Sequence, residues 1–274
     1  MKSLYLIIII LICTGAVNLS GQGKLPAVQN DLQRMFIAIR PNGNLPDRIK
    51  SNDSIRIILG NYASSDSVFR HRFSTIRSLG QITSPDSLLK ILTWNFVDAD
   101  SRSTYFAFLV KRDIKKGGGK VFFLQAPGRE FPENTDTIYN IRNWYGALYY
   151  DLRPFEYMGN VKYVALGIDY GSQFITRKLI EVISFRGDEG IEFGAPCFSD
   201  GKNLRSRVVF EYASTAVMSL KFESEGQIVF DHLSPVSPQY RDNRQFYGPD
   251  FSFDAFVLDK GTWKYKADID IKNK

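Results

Sequence analysis

The chain has 274 residues, 44 % of them hydrophobic, and a formal net charge of +6. That length can bury a sizeable core, while two histidines and two cysteines are too few for a His- or Cys-rich metal site or a disulfide framework. Nucleic acid is a poor partner, because the sequence has neither a recognised motif nor an aromatic-basic stripe.

The first residues, MKSLYLIIIILICTGAVNLSGQG, have the charged start, short apolar run and small-residue exit of a secretory signal peptide. Residues 1–22 are therefore expected to be removed, with cleavage near Gly21 or Gly23. The apolar run from Leu4 to Cys13 is shorter than the roughly 18 residues that span a bilayer, and no later run is long enough. A lipid anchor at Cys13 is disfavoured because Leu11 and Ile12 stand where small residues belong. After cleavage Cys197 is the single thiol, which reads as a small buried hydrophobe. The expected location is the periplasm, with secretion or surface exposure as the alternative.

Residues 23–83 read as a helical segment and 84–274 as an antiparallel β domain, the two forming one unit. In LPAVQNDLQRMFIAIR the apolar positions fall at helical spacing, and RPNGNLP stops the helix. A second helix is expected from Asn52 or Asp53, with Ile55, Ile58, Leu59 and Tyr62 on one stripe. Nine Lys/Arg against four acids lie between Gln22 and Gly80, whereas the charges from Gln81 onward balance. A basic face of this kind can dock on anionic lipid or polyanionic glycan, although no block of like charges marks a binding tail.

From Ser84 the period changes to two. LLKILTWNFV and TYFAFLVKR flank a DADSRS turn. KVFFLQ, NWYGALYYDL, KYVALGID, RKLIEVISF, SRVVFEY, VMSLKFES and QIVFDHL follow, and then a final hairpin of FSFDAFVL, a DKGT turn and WKYKADIDIK. The last of these alternates Trp263, Tyr265, Ala267, Ile269 and Ile271 against charged residues, the pattern of a strand with one wet face. The spacing predicts an α+β, mainly β fold: an antiparallel meander of about eleven strands, as a curved or barrel-like sheet, with the N-terminal helices packed on it. Short connections exclude β-α-β crossovers.

No nucleophile elbow, zinc helix, CxxC pair or phosphate loop is present, and no cofactor or metal is implied. GGGK at 117–120 lies between strands and reads as a turn. Asp98 and Asp100 lack the glycine and closing glutamate of a calcium loop, so turn geometry explains them. His71 sits between Arg70 and Arg72, which disfavours its protonation.

The strongest cluster is FDHLSP with FYGPDFSFDAFV. Strand alternation sends Asp231 and His232 to opposite faces and makes His232 a packed histidine beside Ile228 and Phe230. Asp250 reads as a turn cap after Tyr247. Phe251, Phe253 and Ala255 are expected to face the core, and Asp254 and Phe256 share the opposite face, where Asp254 either lines a ligand groove or pairs with Lys264 or Lys266. With Asp169 of IDYG, the candidate ligand- or partner-facing residues are Asp254, Phe256, Tyr247, Asp250, Asp169 and His232.

The ordered segments TSPDSLLKILTWNF, KYVALGIDYG, RKLIEVISF, RVVFEYASTAVMSLKF, IVFDHLSP and QFYGPDFSFDAF resemble a family of exported, functionally uncharacterised proteins of Bacteroidota-type bacteria. The resemblance covers residues 80–274 and implies export and a β-rich fold, with no catalytic role attached. Without a standard catalytic constellation, the expectation is a periplasmic protein with a non-enzymatic binding or structural role in the cell envelope. Its partner would be an envelope protein, a glycan or an anionic lipid. The alternative is a carboxylate-based hydrolase acting on glycans through two of Asp169, Asp231, Asp250 and Asp254.

Overall fold

A computed structural model describes residues 25–114, 118–128, 135–187 and 190–270. The expected signal peptide, Gly117 of the GGGK turn and Ile271 lie outside the described residues. Helix α1 spans Leu25–Ala38 and α2 spans Leu45–Ala63. α2 starts seven residues before the expected Asn52, because Asn44 already caps it by accepting from the Asp47 N–H, and Pro46 is harmless in the first turn. Asn52 is instead buried, and its side-chain oxygen accepts from the Trp94 indole at 2.9 Å.

The strands form three sheets stacked beneath the helices. Strands β1 (Gly80–Thr83), β2 (Leu89–Val97), β3 (Ser103–Arg112) and β4 (Gly119–Pro127) make the first, in sequential order. One of its faces packs Leu92, Trp94, Phe106 and Phe108 against Leu32, Phe36, Ile55 and Leu59 of the helices. Arg48 of α2 donates to the carbonyls of Ile39 and Val97, tying the helices to the end of β2.

The middle sheet holds β5 (Tyr139–Asn140), β6 (Leu148–Tyr157), β7 (Asn160–Asp169), β8 (Ile175–Arg186) and β9 (Gly190–Phe193). It is covered on both faces: Leu179 and Ile183 meet the first sheet, while Ile180 and Val182 meet the third. Expected as strand throughout, NWYGALYYDL enters β6 only at Leu148. Gly146, at φ +87°, turns the chain before it, and a side chain there would meet Ala126 at 2.9 Å.

The third sheet holds β10 (Phe198–Ser199), β11 (Leu204–Arg205), β13 (Leu220–Ser224), β14 (Gln227–Pro235), β15 (Tyr247–Asp259) and β16 (Thr262–Lys266). The remaining strand, β12 (Arg207–Ala213), pairs with β8 and so belongs to the middle sheet. The α+β, mainly β architecture and its antiparallel pairing are as the spacing predicts, and one sheet curls into a half-barrel. A single strand pair among the described residues, β10 with β16, is parallel. Lys260 and Gly261 both have positive φ, the two-residue turn that matches strand twist in a hairpin.

β8 changes partners along its length. Its first half pairs with β12 as far as Glu181↔Arg207, and its last residues pair with β9. At this junction the buried Arg207 donates to Glu181 at 2.9 Å and to the carbonyls of Thr137 and Phe193 at 2.7 and 3.0 Å. Glu181 also accepts from the Tyr149 hydroxyl, which in turn accepts from the Trp144 indole. Arg207→Ala should therefore lower unfolding stability by about 3–5 kcal/mol, since it strands a buried carboxylate. Adding Glu181→Gln should recover part of that loss and no more, because the Thr137 and Phe193 carbonyls still lack donors. Urea unfolding of the four-member mutant cycle tests both statements.

Candidate functional site

β14 and β15 pair regularly from Gln227↔Val257 to Asp231↔Phe253, then resume at Leu233↔Pro249. Between these points β14 contributes His232, whereas β15 contributes Asp250, Phe251 and Ser252. The two extra residues bulge outward, with Phe251 at φ +72° and 95 % exposed. Asp250 steadies the bulge by accepting from both the backbone N–H and the hydroxyl of Ser252. The bulge brings carboxylates to His232 from two directions. Its Nδ1 lies 2.8 Å from Asp254 Oδ2, and its Nε2 lies 4.0 Å from Asp250 Oδ2.

Asp254 is 3 % exposed and is held by three partners. Besides His232, the Tyr265 hydroxyl donates at 2.7 Å and the Asp268 N–H at 3.1 Å. The last of these explains a departure from the sequence pattern. β16 stops at Lys266, short of the expected alternation through Ala267 and Ile269. Asp268 turns at φ +50° to reach Asp254, and the Ile269 N–H bonds the Phe253 carbonyl.

These contacts correct four expectations. His232 is a half-exposed partner of Asp254, not a packed core histidine. Phe251 and Phe253 do not form the core row; Asp254 and Phe256 face the third core, beside Phe230 and Tyr265. Asp254 pairs with neither Lys264 nor Lys266, and Lys264 bonds Asp259 at 2.6 Å instead. Asp250 is more than a turn cap, because its second oxygen faces His232.

The site opens into a cleft of about 520 Å³ between β12 and the β14–β15 pair. Val209, Phe210 and Glu211 line one wall; Phe230, His232, Leu233, Asp254 and Tyr265 line the other. Asp231 is also on the cleft, and its carboxylate accepts from the Ser219 N–H. An adjoining apolar groove of about 210 Å³ shares Phe210, Phe230 and Tyr265 and adds Phe198 and Phe256.

The other candidates divide. Tyr247 is a core residue whose hydroxyl donates to the Arg241 carbonyl. Asp169 is 1 % exposed and bound to Arg177, Tyr105 and Tyr145, away from the cleft. It is nevertheless linked to it, since Arg177 also bonds Glu211 at 2.8 Å. Glu211, Phe210 and Tyr265 were not legible as site residues: their alternation is ordinary, and the pairings of β12 with β8 and of β16 with β15 place them on this cleft. Asp98 does serve its turn, accepting from the Asp100 and Arg102 N–H groups. Cys197 is buried, which pushes its thiol pKa up to about 12. Among the described residues, no group of three or more His, Cys, Asp and Glu is arranged to hold a metal ion, and no helix is long and apolar enough to cross a membrane.

Comparison with known proteins gives no match to a family model, a curated protein or a solved structure. Chemically, the arrangement presents an oriented imidazole. The hydrogen bond to Asp254 raises the His232 pKa, burial opposes the rise, and the charges of Asp254, Asp250 and Asp268 add to it. Burial would raise Asp250, but the Ser252 hydrogen bonds and the His232 charge outweigh it and hold Asp250 low.

Because the folded-state pKa of His232 exceeds its unfolded value near 6.5, its stabilising contribution is complete below that pH and fades as pH rises through the folded value. Asp254→Asn should return the His232 titration toward 6.5 in NMR. The stability difference between wild type and His232→Asn should be larger at pH 5.5 than at pH 8.5.

Proposed function

We propose that this protein is an exported component of the cell envelope that binds a glycan in the cleft between β12 and the β14–β15 pair. The observation that carries the reading is an aromatic wall beside polar groups suited to hydroxyls. Phe210 and Tyr265 are partly open, with Phe230 and Phe256 behind them at 4.6 Å from Phe210 and 5.9 Å from Tyr265 respectively. Such faces stack on the C–H faces of sugar rings. Glu211 and His232 line the cleft as hydrogen-bond partners, and Asp250 lies 4.0 Å from His232. Support for export comes from the leader-like residues 1–22 and the resemblance to exported Bacteroidota-type proteins.

Titration with a tetramer of N-acetylglucosamine or of glucose, followed by NMR, tests the reading. Phe210→Ala should weaken binding about tenfold or more, in line with the loss of one aromatic contact. Absence of binding, or affinity unchanged in both Phe210→Ala and Tyr265→Ala, would remove it. Full-length chain expressed in a Gram-negative host should be recovered from the periplasm with its mass shortened to a start near Gly21 or Gly23. Recovery with the leader intact in the cytoplasm would contradict the export half.

One observation favours a second, hydrolytic reading. Asp254 orients the imidazole of His232, which lines the cleft and whose other nitrogen lies 4.0 Å from Asp250, the arrangement of a general base on a water molecule. Asp254 and Asp169 are buried beneath their donors, so in this reading the acid–base role on a glycan passes to His232, assisted by Asp250. Release of shorter sugars from the same tetramers, lost in His232→Asn, separates it from simple binding.

A further inference from the structure

A second pocket lies where the end of the basic N-terminal segment and the strands β1 and β2 meet β6. It measures about 410 Å³ and is lined by Arg70, His71, Arg72, Gln81, Thr83, Lys90 and Asp151, among others. Lys90 sits in β2 on the row of Leu92 and Trp94, the side that faces the helices, and is 3 % exposed. Buried ammonium groups are normally matched by a carboxylate. Lys90 has none within 4.0 Å among the described residues. Its Nζ donates to the His71 carbonyl at 2.8 Å and has the Tyr62 hydroxyl at a long 3.5 Å. Tyr62 already donates to that same carbonyl.

The neighbours deepen the imbalance. Arg72 lies close enough to repel Lys90. Burial, then that repulsion, pull the Lys90 pKa down to about 8. His71 is lowered by burial and by Lys90, so the disfavoured protonation expected from Arg70 and Arg72 arises mainly from other causes. The His71 Nε2 atom is itself buried with no hydrogen-bond partner. Neither Arg70 nor Arg72 forms an ion pair among the described residues. The one acid on the pocket, Asp151, is engaged by Arg153 at 3.3 Å and by the Leu152 N–H.

A buried cation short of acceptors and two guanidiniums without an ion pair among the described residues line one polar cavity whose single acid is engaged, and His71, with its unpartnered ring nitrogen, is on the same wall. We infer that this pocket is a binding site for a phosphate-type oxyanion, with Lys90 at its base and Arg70 and Arg72 at its mouth. Guanidiniums at a mouth can grip such a group through paired N–H donors, and the buried ammonium supplies a charge-assisted bond in a low-dielectric setting. The volume leaves room for the organic part of a phosphate ester. The group has two sources: a free phosphate or phosphomonoester, or the headgroup of an anionic phospholipid.

Calorimetric titration with inorganic phosphate and with glycerol phosphate, beside co-sedimentation with phosphatidic acid vesicles, tests the inference on the full mature chain. Lys90→Met, which fits the apolar row, and Arg72→Gln, on the exposed rim, should each weaken binding at least about tenfold, the loss of one charge-assisted contact. Binding of the soluble probes identifies a free-phosphate site; binding of vesicles alone, lost in the same variants, identifies the headgroup. Anion binding should also raise the Lys90 pKa, so titrations at pH 8.5 in buffers of different ionisation enthalpy should reveal proton uptake that Lys90→Met removes. Failure of all three probes to bind, or binding that neither variant weakens, overturns the inference. Arg72→Gln guards against a misleading loss of fold in Lys90→Met.

Discussion

The buried pair of Glu181 and Arg207 sits where the architecture is most exposed to failure. β8 runs through the middle sheet with partners on both sides and cores on both faces, yet one of its edges passes from β12 to β9. Where a ladder changes strands, carbonyls lose their partners, and an unpaired buried carbonyl is costly. The Arg207 guanidinium resolves this with a planar fork: one edge meets Glu181, and other donors meet the Thr137 and Phe193 carbonyls. Lysine, a point charge with three donors on a flexible stem, does not offer that geometry. The ion pair is thus a solution to a backbone problem, and its worth lies in specifying where the strands exchange.

The same strand carries a second ionic group four residues earlier, on the same face. Arg177 is flanked by Asp169 on β7 and Glu211 on β12, and Tyr105 of the first sheet reaches Asp169. Together the two groups fasten the first sheet to the middle one and fix β12 at both ends. β12 has no second strand partner among the described residues, so its outer side is free to form a wall. The cleft exists because that wall faces a bulge. Two additional residues in β15 fold Asp250 back and leave His232 between two carboxylates.

What the sequence discloses follows from the range of each interaction. Period-two alternation is a local property, so the strands, the Lys260–Gly261 hairpin and the helix stripe of Ile55, Leu59 and Tyr62 were legible. The division into three sheets depends on which strands meet across long separations, and no local pattern encodes it. The bulge had one trace: a glycine, a proline and an aspartate entering a strand. Its register, and therefore the meeting of His232 with Asp254, was not recoverable from alternation, which assumes an unbroken ladder. The end of β16 failed for the same reason, since alternating residues continue past Lys266 while Asp254 captures the Asp268 N–H. Lys90 is different. Its position in LLKILTWNFV places it in phase with Leu92 and Trp94, so the alternation itself carries a lysine on an apolar row.

Comparing the buried charges sharpens the meaning of that lysine. Glu181 and Arg207 answer each other, Arg177 is shared by two carboxylates, and Asp254 is held by three donors. Arg48, which lacks an acid, donates to two carbonyls and lies over the Phe96 ring at 5.0 Å. Each of these groups meets a carboxylate or at least two hydrogen-bond partners inside the protein, as expected where the dielectric is low. Lys90 has one close acceptor for three donors, lies over the Tyr62 ring at 5.8 Å, and is repelled by another cation, Arg72. Among the described residues, a fold that gives the other buried charges an ion pair or two or more acceptors leaves this one with a single close acceptor at the wall of an open cavity. Satisfaction from outside the chain is the arrangement consistent with the rest of the molecule.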